Sequence, residues 1–504
     1  MTVSVSADAI LARQHARESS ARTYARSFPI VPARAYGMTV EGADGRRYLD
    51  CLSGAGTLAL GHNHPVVQEA VRRTLDSGAP LHALDLATPE KDDFTDALFA
   101  TLPKAFADRA RVHFCGPAGT DAVEAALKLM QTATGRRGLL AFTGAYHGMT
   151  AGALGVTGAV AVKEPVAGGG AEVTRLPYPY AYRCPFGVGG ARGAELSVTY
   201  TQRLLDDPAG GVVRPAAMIV EAVQGEGGAV PAPDDWLRAM RRITREREIP
   251  LIVDEVQTGV GRTGAFWAVE HSGIVPDAMV MSKAIGGSLP LAVIVYDKDY
   301  DGWLPGAHTG TFRGNTLAMA AGAATLRYVA REGLAERAAA VGARMLARLA
   351  GLRTELPVPV VGDVRGRGLM IGVEMVDPAG PVDSCGARPA APELARRVRD
   401  ACLARGLIVE LGGRYGATVR LLPPLVITDE EAEAVLERLG EAISAVGKEA
   451  GKEADAEAGA GGGVPAAGAV AAAPVPAQTP VPAQTAVPAQ SAAGVAPGPE
   501  GGRH

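Results

Sequence analysis

Two short apolar runs, each followed by a charged residue, constrain the fold of this chain more than any other part of its sequence. Both lie within residues 249–287, where the run LIV leads into Asp254 and the run AMVMS leads into Lys283. Short aliphatic runs bounded by turn residues are typical of buried strands. Open sheets of parallel strands bind their ligands beyond the carboxyl ends of the strands. We therefore predict that Asp254 and Lys283 present a carboxylate and an amine to one bound molecule.

Strand-like and helix-like segments alternate through residues 84–333. The apolar runs RVHFC, GLLAFTG, AAMIVEAV, PLIVDEV and AMVMS are separated by amphipathic stretches such as TDAVEAALKLMQTAT and WLRAMRRITRERE. This alternation is typical of an α/β fold in which helices cover both faces of a mostly parallel sheet. Residues 84–333 are therefore predicted to form a large, ligand-binding domain.

Both ends of the chain contribute to a second, smaller unit. Residues 1–83 contain a charged helical segment and short strands, and residues 334–446 alternate between helices and strands such as LMIGVEM. We predict that these two segments form a smaller α+β domain. Residues 447–504 are rich in Ala, Gly and Pro and contain the repeat PVPAQTPVPAQTAVPAQS, so they are predicted to be a disordered tail.

Composition and charge argue against several classes of function. The net charge of -4 provides no basic surface for nucleic acid or for an anionic membrane. The five cysteines show no C-x-x-C spacing, so neither a disulfide framework nor a metal site is expected. The N-terminal residues lack the apolar core of a signal peptide, and no uncharged stretch is apolar enough to span a bilayer. These features predict a cytoplasmic protein that acts on small molecules.

A turn of small residues predicts an anion site. The sequence FCGPAGTD, residues 114–121, contains a strand end, a turn and the start of a helix. Free backbone N–H groups and the helix dipole favour an anion at such a helix start. We predict that Ala118, Gly119 and Thr120 bind a phosphate group. A tight strand-to-helix turn without a ligand is the alternative interpretation of the same pattern.

Three further segments place candidate side chains on strands or just after them. Tyr146 and His147 follow the strand GLLAFTG, where an aromatic ring can stack on a planar cofactor. Glu221 and Glu226 lead from the strand AAMIVEAV into a glycine-rich loop, where a carboxylate can pair with a substrate amine or neutralise an arginine. Arg420 lies within an apolar run, where its guanidinium could bind a carboxylate through two hydrogen bonds. Taken singly, each of these residues could equally be structural or surface-exposed.

A pyridoxal phosphate (PLP) site accounts for Asp254 and Lys283 together. A buried carboxylate is costly unless a cation pairs with it, and a protonated pyridine nitrogen is such a cation. A lysine that ends a buried strand is suited to hold the cofactor as a Schiff base. Gln257, on the same loop as Asp254, could donate to the ring hydroxyl. The G-x-G-x-x-G match at residues 259–264 does not directly follow a strand, so it does not support a nicotinamide cofactor.

Taken in chain order, these segments resemble the class III, subgroup II aminotransferases, which are PLP-dependent enzymes of fold type I. The resemblance covers residues 28–446 and is carried by GPAGTDAVEAALKL, YHG, EAVQGEGG, VDEVQTGVGRTG, SKAIGG and GTFRGN. It implies Lys283 and Asp254 as catalytic residues. The cofactor-binding residues that it implies are Ala118, Gly119, Thr120, Tyr146, His147, Glu221, Asp254, Gln257, Lys283 and Thr311.

The same resemblance implies an assembly and a way to bind substrates. It implies a homodimer with active sites at the interface, in which Thr311 reaches the phosphate of the partner's cofactor. It also implies that Arg420 binds the α-carboxylate of glutamate or 2-oxoglutarate. Glu226 would neutralise Arg420 when the ω-amine of the other substrate is presented.

Within the family, three runs are most similar to the branch that uses 2,4-diaminobutyrate and 2-oxoglutarate: PYPYAYRCPFG, WLRAMRRITREREIPLIVDEVQTG and LPGAHTGTFRGN. That branch implies a ping-pong reaction in which L-glutamate gives its amino group to the cofactor and aspartate 4-semialdehyde then receives it. Other interpretations stay open. They are a class III aminotransferase for ornithine, acetylornithine or 4-aminobutyrate, a PLP aminomutase or racemase, and a PLP-binding protein without enzymatic activity.

Overall fold

The computed structural model describes residues 6–166 and 172–460. In chain order, the strands are β1 Pro32–Tyr36, β2 Thr39–Gly42, β3 Arg47–Asp50, β4 Ala110–Phe114, β5 Leu139–Phe142, β6 Val173–Leu176, β7 Ala217–Val220, β8 Val223–Gln224, β9 Val230–Pro231, β10 Leu251–Asp254, β11 Ala278–Met281, β12 Val293–Asp297, β13 Val361–Arg367, β14 Met370–Met375, β15 Leu407–Ile408, β16 Glu410–Gly412 and β17 Thr418–Leu421.

The α-helices are α1 Ala7–Arg17, α2 Tyr24–Ser27, α3 Ser53–Gly56, α4 Pro65–Asp76, α5 Pro89–Phe99, α6 Lys104–Ala107, α7 Gly119–Thr134, α8 Ala151–Val156, α9 Gly190–Asp206, α10 Asp234–Glu246, α11 Val269–Ser272, α12 Thr316–Arg331, α13 Leu334–Glu355, α14 Pro392–Ala404 and α15 Asp429–Ala460. Short 3-10 helices occur at Lys283–Gly286, Lys298–Tyr300 and Arg414–Gly416.

Several helices begin and end at residues with clear local signals. Helix α4 starts at Pro65, whose fixed φ and missing N–H suit the first helical position. Helix α12 starts after Asn315, whose side chain accepts a hydrogen bond from the backbone N–H of Ala318. Helix α7 ends at Thr134, and the next residue, Gly135, adopts the left-handed conformation with a φ of 66°.

A seven-stranded sheet with the order β4-β12-β11-β10-β7-β5-β6 forms the centre of the fold. Strand β10 pairs in parallel with β7 and β11, and β5 pairs in parallel with β6 and β7. Strand β12 runs antiparallel to both β11 and β4. The prediction of a mostly parallel sheet is confirmed. The exception arises because residues 282–292 are too few for a helical crossover, so β12 must return in the opposite direction.

Side chains that alternate along the strands pack into two different cores. Ile252 and Val280 belong to the cluster that contains Val123 of α7. Val253 belongs to the cluster that contains Trp236 of α10. Successive strand residues point to opposite faces of a sheet, so helices cover both faces, as the sequence predicts for this α/β fold.

Two four-stranded sheets complete the framework around the site. One has the order β1-β2-β3-β15, in which Leu407 pairs with Leu49 of β3, so that segments from both ends of the chain share a sheet. The other has the order β13-β14-β17-β16 and carries Arg420. This arrangement agrees with the smaller α+β part predicted from both chain ends. The boundaries at residues 83, 333 and 446 stay a prediction.

The last helix extends beyond residue 447, where the sequence predicts a disordered tail to begin. Helix α15 runs to Ala460. Ala450 is buried, and Glu449 and Glu453 form ion pairs with Arg397 of α14, which supports the additional turns. The described residues up to Ala456 belong to one compact unit. The predicted tail over residues 461–504 lies outside the described residues.

None of the helices in the described ranges combines the length and the apolar character that a membrane span requires.

Candidate functional site

The carboxyl ends of β4, β5, β7, β10 and β11 meet at a cavity of about 330 Å³. This is the edge of the sheet at which the sequence predicts a ligand. Among the candidate residues, those that line the cavity are Ala118, Gly119, Thr120, Tyr146, His147, Glu221, Glu226, Asp254, Gln257 and Lys283.

The turn before α7 forms one end of the cavity. The N–H of Ala118 donates to the carboxylate of Asp121. The N–H groups of Gly119 and Thr120 find no acceptor among the described residues, because they open the helix and have no carbonyl oxygen one turn before them. These free donors and the helix dipole suit a phosphate group.

Gly119 lets the phosphate turn approach the rest of the site closely. A Cβ atom at this position would lie 3.0 Å from Cγ1 of Val256, on the loop that follows Asp254. It would also lie 3.5 Å from Cβ of Ser282, the residue before Lys283. Packing therefore fixes the anion site against both strand ends that carry the candidate catalytic residues.

Asp254 is the last residue of β10 and is 5% exposed. Its Oδ2 lies 2.7 Å from Nδ1 of His147, and its Oδ1 accepts a hydrogen bond from the N–H of Val256. Burial lowers the pKa of His147, but the hydrogen bond and the charge of Asp254 outweigh that effect and raise the pKa above its usual value. The carboxylate is thus held in a fixed orientation at the cavity wall.

Lys283 lies at the carboxyl end of β11, in a turn of restricted geometry. Its φ is +51°, which is unusual for a residue other than glycine and persists only where the surrounding structure enforces it. A Cβ atom at Gly322 of α12 would collide with the carbonyl oxygen of Ile285, so that helix packs directly on the turn. Burial lowers the pKa of Lys283 and the positive charge of Arg420 lowers it further, whereas Glu226 raises it. Because burial dominates, the neutral, nucleophilic form of the amine is easier to reach than in a solvated lysine.

Glu221 fixes the backbone around the cavity. Its two carboxylate oxygens accept hydrogen bonds from the N–H groups of Tyr146 and Gly225, both at 2.9 Å. Burial raises the pKa of Glu221 to about 7, with Asp254 raising it and His147 lowering it. The structure therefore places Glu221 at the cavity wall as a residue that positions Tyr146.

Tyr146 and Gln257 lie on the cavity wall, and each presents a group that could contact a ligand. The side chain of Tyr146 is 38% exposed, so its ring is free to contact a bound planar group. The Nε2 of Gln257 donates to the carbonyl oxygen of Ala55, and its Oε1 is buried without a partner among the described residues. The Nε2 of His147 is likewise buried without a described partner.

Arg420 lies beneath the cavity in β17 and is 1% exposed. Its Nη2 donates to both carboxylate oxygens of Glu226 at 2.8 Å. Burial would raise the pKa of Glu226, but Arg420 and Lys283 hold it below its usual value. The structure thus brings together the two residues that the sequence predicts to bind substrate.

A second carboxylate, which the sequence analysis missed, lies against Arg420. Oε2 of Glu410 is 2.7 Å from Arg420 Nη2, and Oε1 of Glu410 accepts a hydrogen bond from the hydroxyl of Tyr24. Glu410 ends the apolar run LIV, the same pattern that singled out Asp254, so this signal could have identified it. Tyr24 has no such signal, because it lies in a charged helical segment far away in the sequence.

Thr311 is the one predicted site residue that lies apart from the others. It is exposed in the loop between β12 and α12 and does not line the cavity of its own chain. Thr311 could therefore contribute only to the site of a second chain.

The family model for class III aminotransferases matches residues 20–443 of the chain. The chain belongs to this family. Class III aminotransferases use PLP, which supplies an aldehyde that condenses with amines and a ring that withdraws electrons from the substrate carbon. The free N–H groups at Gly119 and Thr120, the buried carboxylate of Asp254 and the amine of Lys283 fit this cofactor.

Two relatives and one solved structure illustrate the similarity. The diaminobutyrate--2-oxoglutarate aminotransferase of Rhizobium meliloti is 55% identical over 87% of this chain and 93% of that protein. The enzyme of the same name from Haemophilus influenzae is 47% identical over 88% of this chain and 98% of that protein. A PLP-bound amine transaminase from an uncultivated Pseudomonas species superimposes with a TM-score of 0.75. It is 30% identical and aligns with 86% of this chain and 98% of its own.

Glu255, directly after Asp254, makes stability depend on pH. It is 2% exposed, accepts hydrogen bonds from the N–H of Val269 and the hydroxyl of Thr258, and has a pKa raised by burial to about 7 from a usual value of 4.5. Between these two pH values the folded state binds the proton more tightly than the unfolded state, so the free energy of unfolding falls as pH rises from 4.5 through 7.

We predict that Glu255→Gln removes this contribution, because an amide makes similar hydrogen bonds without ionising. The free energy of unfolding is measured in urea at a fixed protein concentration. Between pH 5 and pH 8 it should fall by about 3 kcal/mol more for wild type than for the variant. The exposed Glu246→Gln is the control and should follow wild type. Parallel stability curves for wild type and Glu255→Gln would contradict the assignment.

Proposed function

We propose that this chain catalyses PLP-dependent transamination between L-glutamate/2-oxoglutarate and aspartate 4-semialdehyde/L-2,4-diaminobutyrate by a ping-pong mechanism. The observation that carries the proposal is the pairing of the buried Arg420 with Glu226 beside Lys283. The names of the relatives at 55% and 47% identity support the choice of substrates.

The phosphate turn and Asp254 hold and polarise the cofactor in this proposal. Gly119 and Thr120 would donate backbone N–H groups to its phosphate, and Ala118 belongs to the same turn. Asp254 would keep the ring nitrogen protonated, and His147 fixes the orientation of the Asp254 carboxylate. Tyr146, whose backbone is held by Glu221, would pack on the ring, and Gln257 lies on the same wall.

Lys283 has two roles in the proposed reaction. Its Nζ would hold the cofactor covalently. Once freed, the same amine would serve as the base that removes a proton from the substrate carbon and as the acid that returns one. The lowered pKa of Lys283 suits both roles, because each requires the neutral amine.

The Glu226–Arg420 pair allows one site to accept two unlike substrates. When glutamate or 2-oxoglutarate binds, Arg420 would bind its α-carboxylate. The hydrogen bonds that Arg420 donates to Glu226 would then have to break. For diaminobutyrate, whose distal amine reacts, Glu226 stays on Arg420 and neutralises its charge. A substrate carboxylate therefore exchanges with a protein carboxylate, and the buried guanidinium is paired in both half-reactions.

We also propose a homodimer in which Thr311 contacts the cofactor of the partner subunit. The loop that carries Thr311 exposes large apolar side chains, with Phe312 69% and Leu304 79% exposed. The segment with the exposed Leu84 and Leu86 adjoins this loop through the contact of the His82 and Phe312 rings. Clustered apolar groups of this kind are typical of a surface that a second chain covers. The cytoplasmic location stays a prediction from the sequence.

Loss of Lys283 tests the proposed function. We predict that the wild-type holoenzyme forms glutamate from diaminobutyrate and 2-oxoglutarate, and that Lys283→Ala lowers the turnover by about 10³-fold or more while remaining folded. The exposed Lys298→Ala is the matched control and should retain wild-type activity.

A substrate screen in the same assay discriminates between the rival activities. Ornithine, acetylornithine and 4-aminobutyrate should give a lower kcat/KM than diaminobutyrate. A higher value for any of them would replace the proposed substrate, and turnover without a keto acid would indicate an aminomutase or racemase. Undiminished transamination by Lys283→Ala would contradict the mechanism.

Mixing of two impaired variants tests the placement of Thr311. In a dimer of one Lys283→Ala chain and one Thr311→Ala chain, one of the two sites contains both native residues only if Thr311 acts across the interface. We predict that mixing and reassembling the variants at limiting PLP restores activity well above that of either variant alone. If Thr311 served its own chain, every site would carry a lesion and mixing would restore nothing.

A further inference from the structure

The space beside Lys283 continues into a second cavity of about 480 Å³. Tyr146, Glu226 and Lys283 line both cavities, so the second one opens directly onto the reacting amine. Its other walls include Tyr24 and Glu410, neither of which takes part in the proposed reaction.

Glu410 is a buried carboxylate that is held in place. It is 7% exposed, and its Oε1 accepts a hydrogen bond of 2.8 Å from the hydroxyl of Tyr24. Its Oε2 lies 2.7 Å from Nη2 of Arg420 but is not aligned for a hydrogen bond with any described residue. The orientation of the side chain is therefore fixed, while one of its oxygens is available to a further donor.

The charges around Arg420 leave Glu410 without a full counter-ion. Arg420 directs both of its hydrogen bonds from Nη2 to Glu226. Burial and the charge of Glu226 raise the pKa of Glu410, whereas Arg420 lowers it. Two buried carboxylates thus share one guanidinium, and the nearby Lys283 is the other cation that acts on them. When Lys283 is engaged with the cofactor, a cation supplied by a ligand would complete the pairing.

The same cavity offers a partner for a carboxylate group. Arg399 lines it and donates from Nη1 to the hydroxyl of Ser27, while its other nitrogens pair with the exposed Asp400. The cavity therefore offers an acid to an ammonium group and a guanidinium to a carboxylate, the two groups that an amino acid carries on its α-carbon. That is the end of a diamino acid which remains when its distal amine faces Lys283.

We propose that Glu410, held by Tyr24, binds the α-ammonium group of the diamino acid and thereby selects it over amines that lack this group. The inference rests on the proposed function and identifies a determinant of its specificity. 4-Aminobutyrate is the matching substrate for comparison, because it differs from 2,4-diaminobutyrate only by the absence of the α-amine.

The experiment compares Glu410→Gln with wild type on three donors in single-turnover reactions of the holoenzyme, so that slow substrates can be measured. The ratio of kcat/KM for diaminobutyrate to that for 4-aminobutyrate should fall by at least about 10-fold, the usual cost of losing a hydrogen bond to a charged group. The rate with glutamate should stay the same or rise, because Arg420 loses a competing carboxylate. Tyr24→Phe should lower the same ratio by a smaller factor.

The outcomes separate this inference from the proposed function. If wild type does not use diaminobutyrate, the proposed function fails. If wild type uses it but Glu410→Gln leaves the ratio unchanged, or lowers the glutamate rate equally, then Glu410 only positions Arg420 and the inference is wrong. The exposed Glu437→Gln should match wild type throughout. Should Glu410→Gln fail to fold, an unchanged ratio in Tyr24→Phe would overturn the inference.

Discussion

The parallel pairing of β10 with β11 is the constraint on which the candidate site depends. Asp254 pairs with Val280 in the register of these strands, so the carboxylate and the turn that carries Lys283 leave the sheet at the same edge. Both strands are fully buried, and a shift of one residue would turn every side chain to the opposite face. The packing of the sheet therefore fixes the distance between acid and amine before any cofactor binds.

A second constraint is the balance of buried charge. Arg420, Glu226 and Glu410 form a group in which one guanidinium lies between two carboxylates, close to the amine of Lys283. A buried ion without a partner costs several kcal/mol, so such a group responds strongly when a charged ligand enters. In the proposed reaction, a substrate carboxylate displaces Glu226 and a substrate ammonium adds to Glu410. The one guanidinium and the two carboxylates would thus bind the substrates of both half-reactions.

The sequence predicted those parts of the molecule that depend on local pattern. Buried strands that end in Asp254 or Lys283, and the helix that begins at Gly119, are visible because hydrophobic runs and turn residues are local signals. The antiparallel β12 was not indicated, because strand direction depends on connection length and on neighbours in the sheet. The contact between Tyr24 and Glu410 joins the two ends of the chain, and only the folded chain brings these residues together. The roles of the site residues, including Thr311, stay predictions.

The proposed reaction requires the cofactor to be attached to Lys283, and peptide mapping of the reduced enzyme identifies the lysine that holds it. The purified holoenzyme is reduced with sodium borohydride and digested, and the peptide that carries the phosphopyridoxyl group is found by mass spectrometry. We expect a single modified peptide, with the group on Lys283. Modification of a different lysine, with Lys283 unmodified, would contradict it.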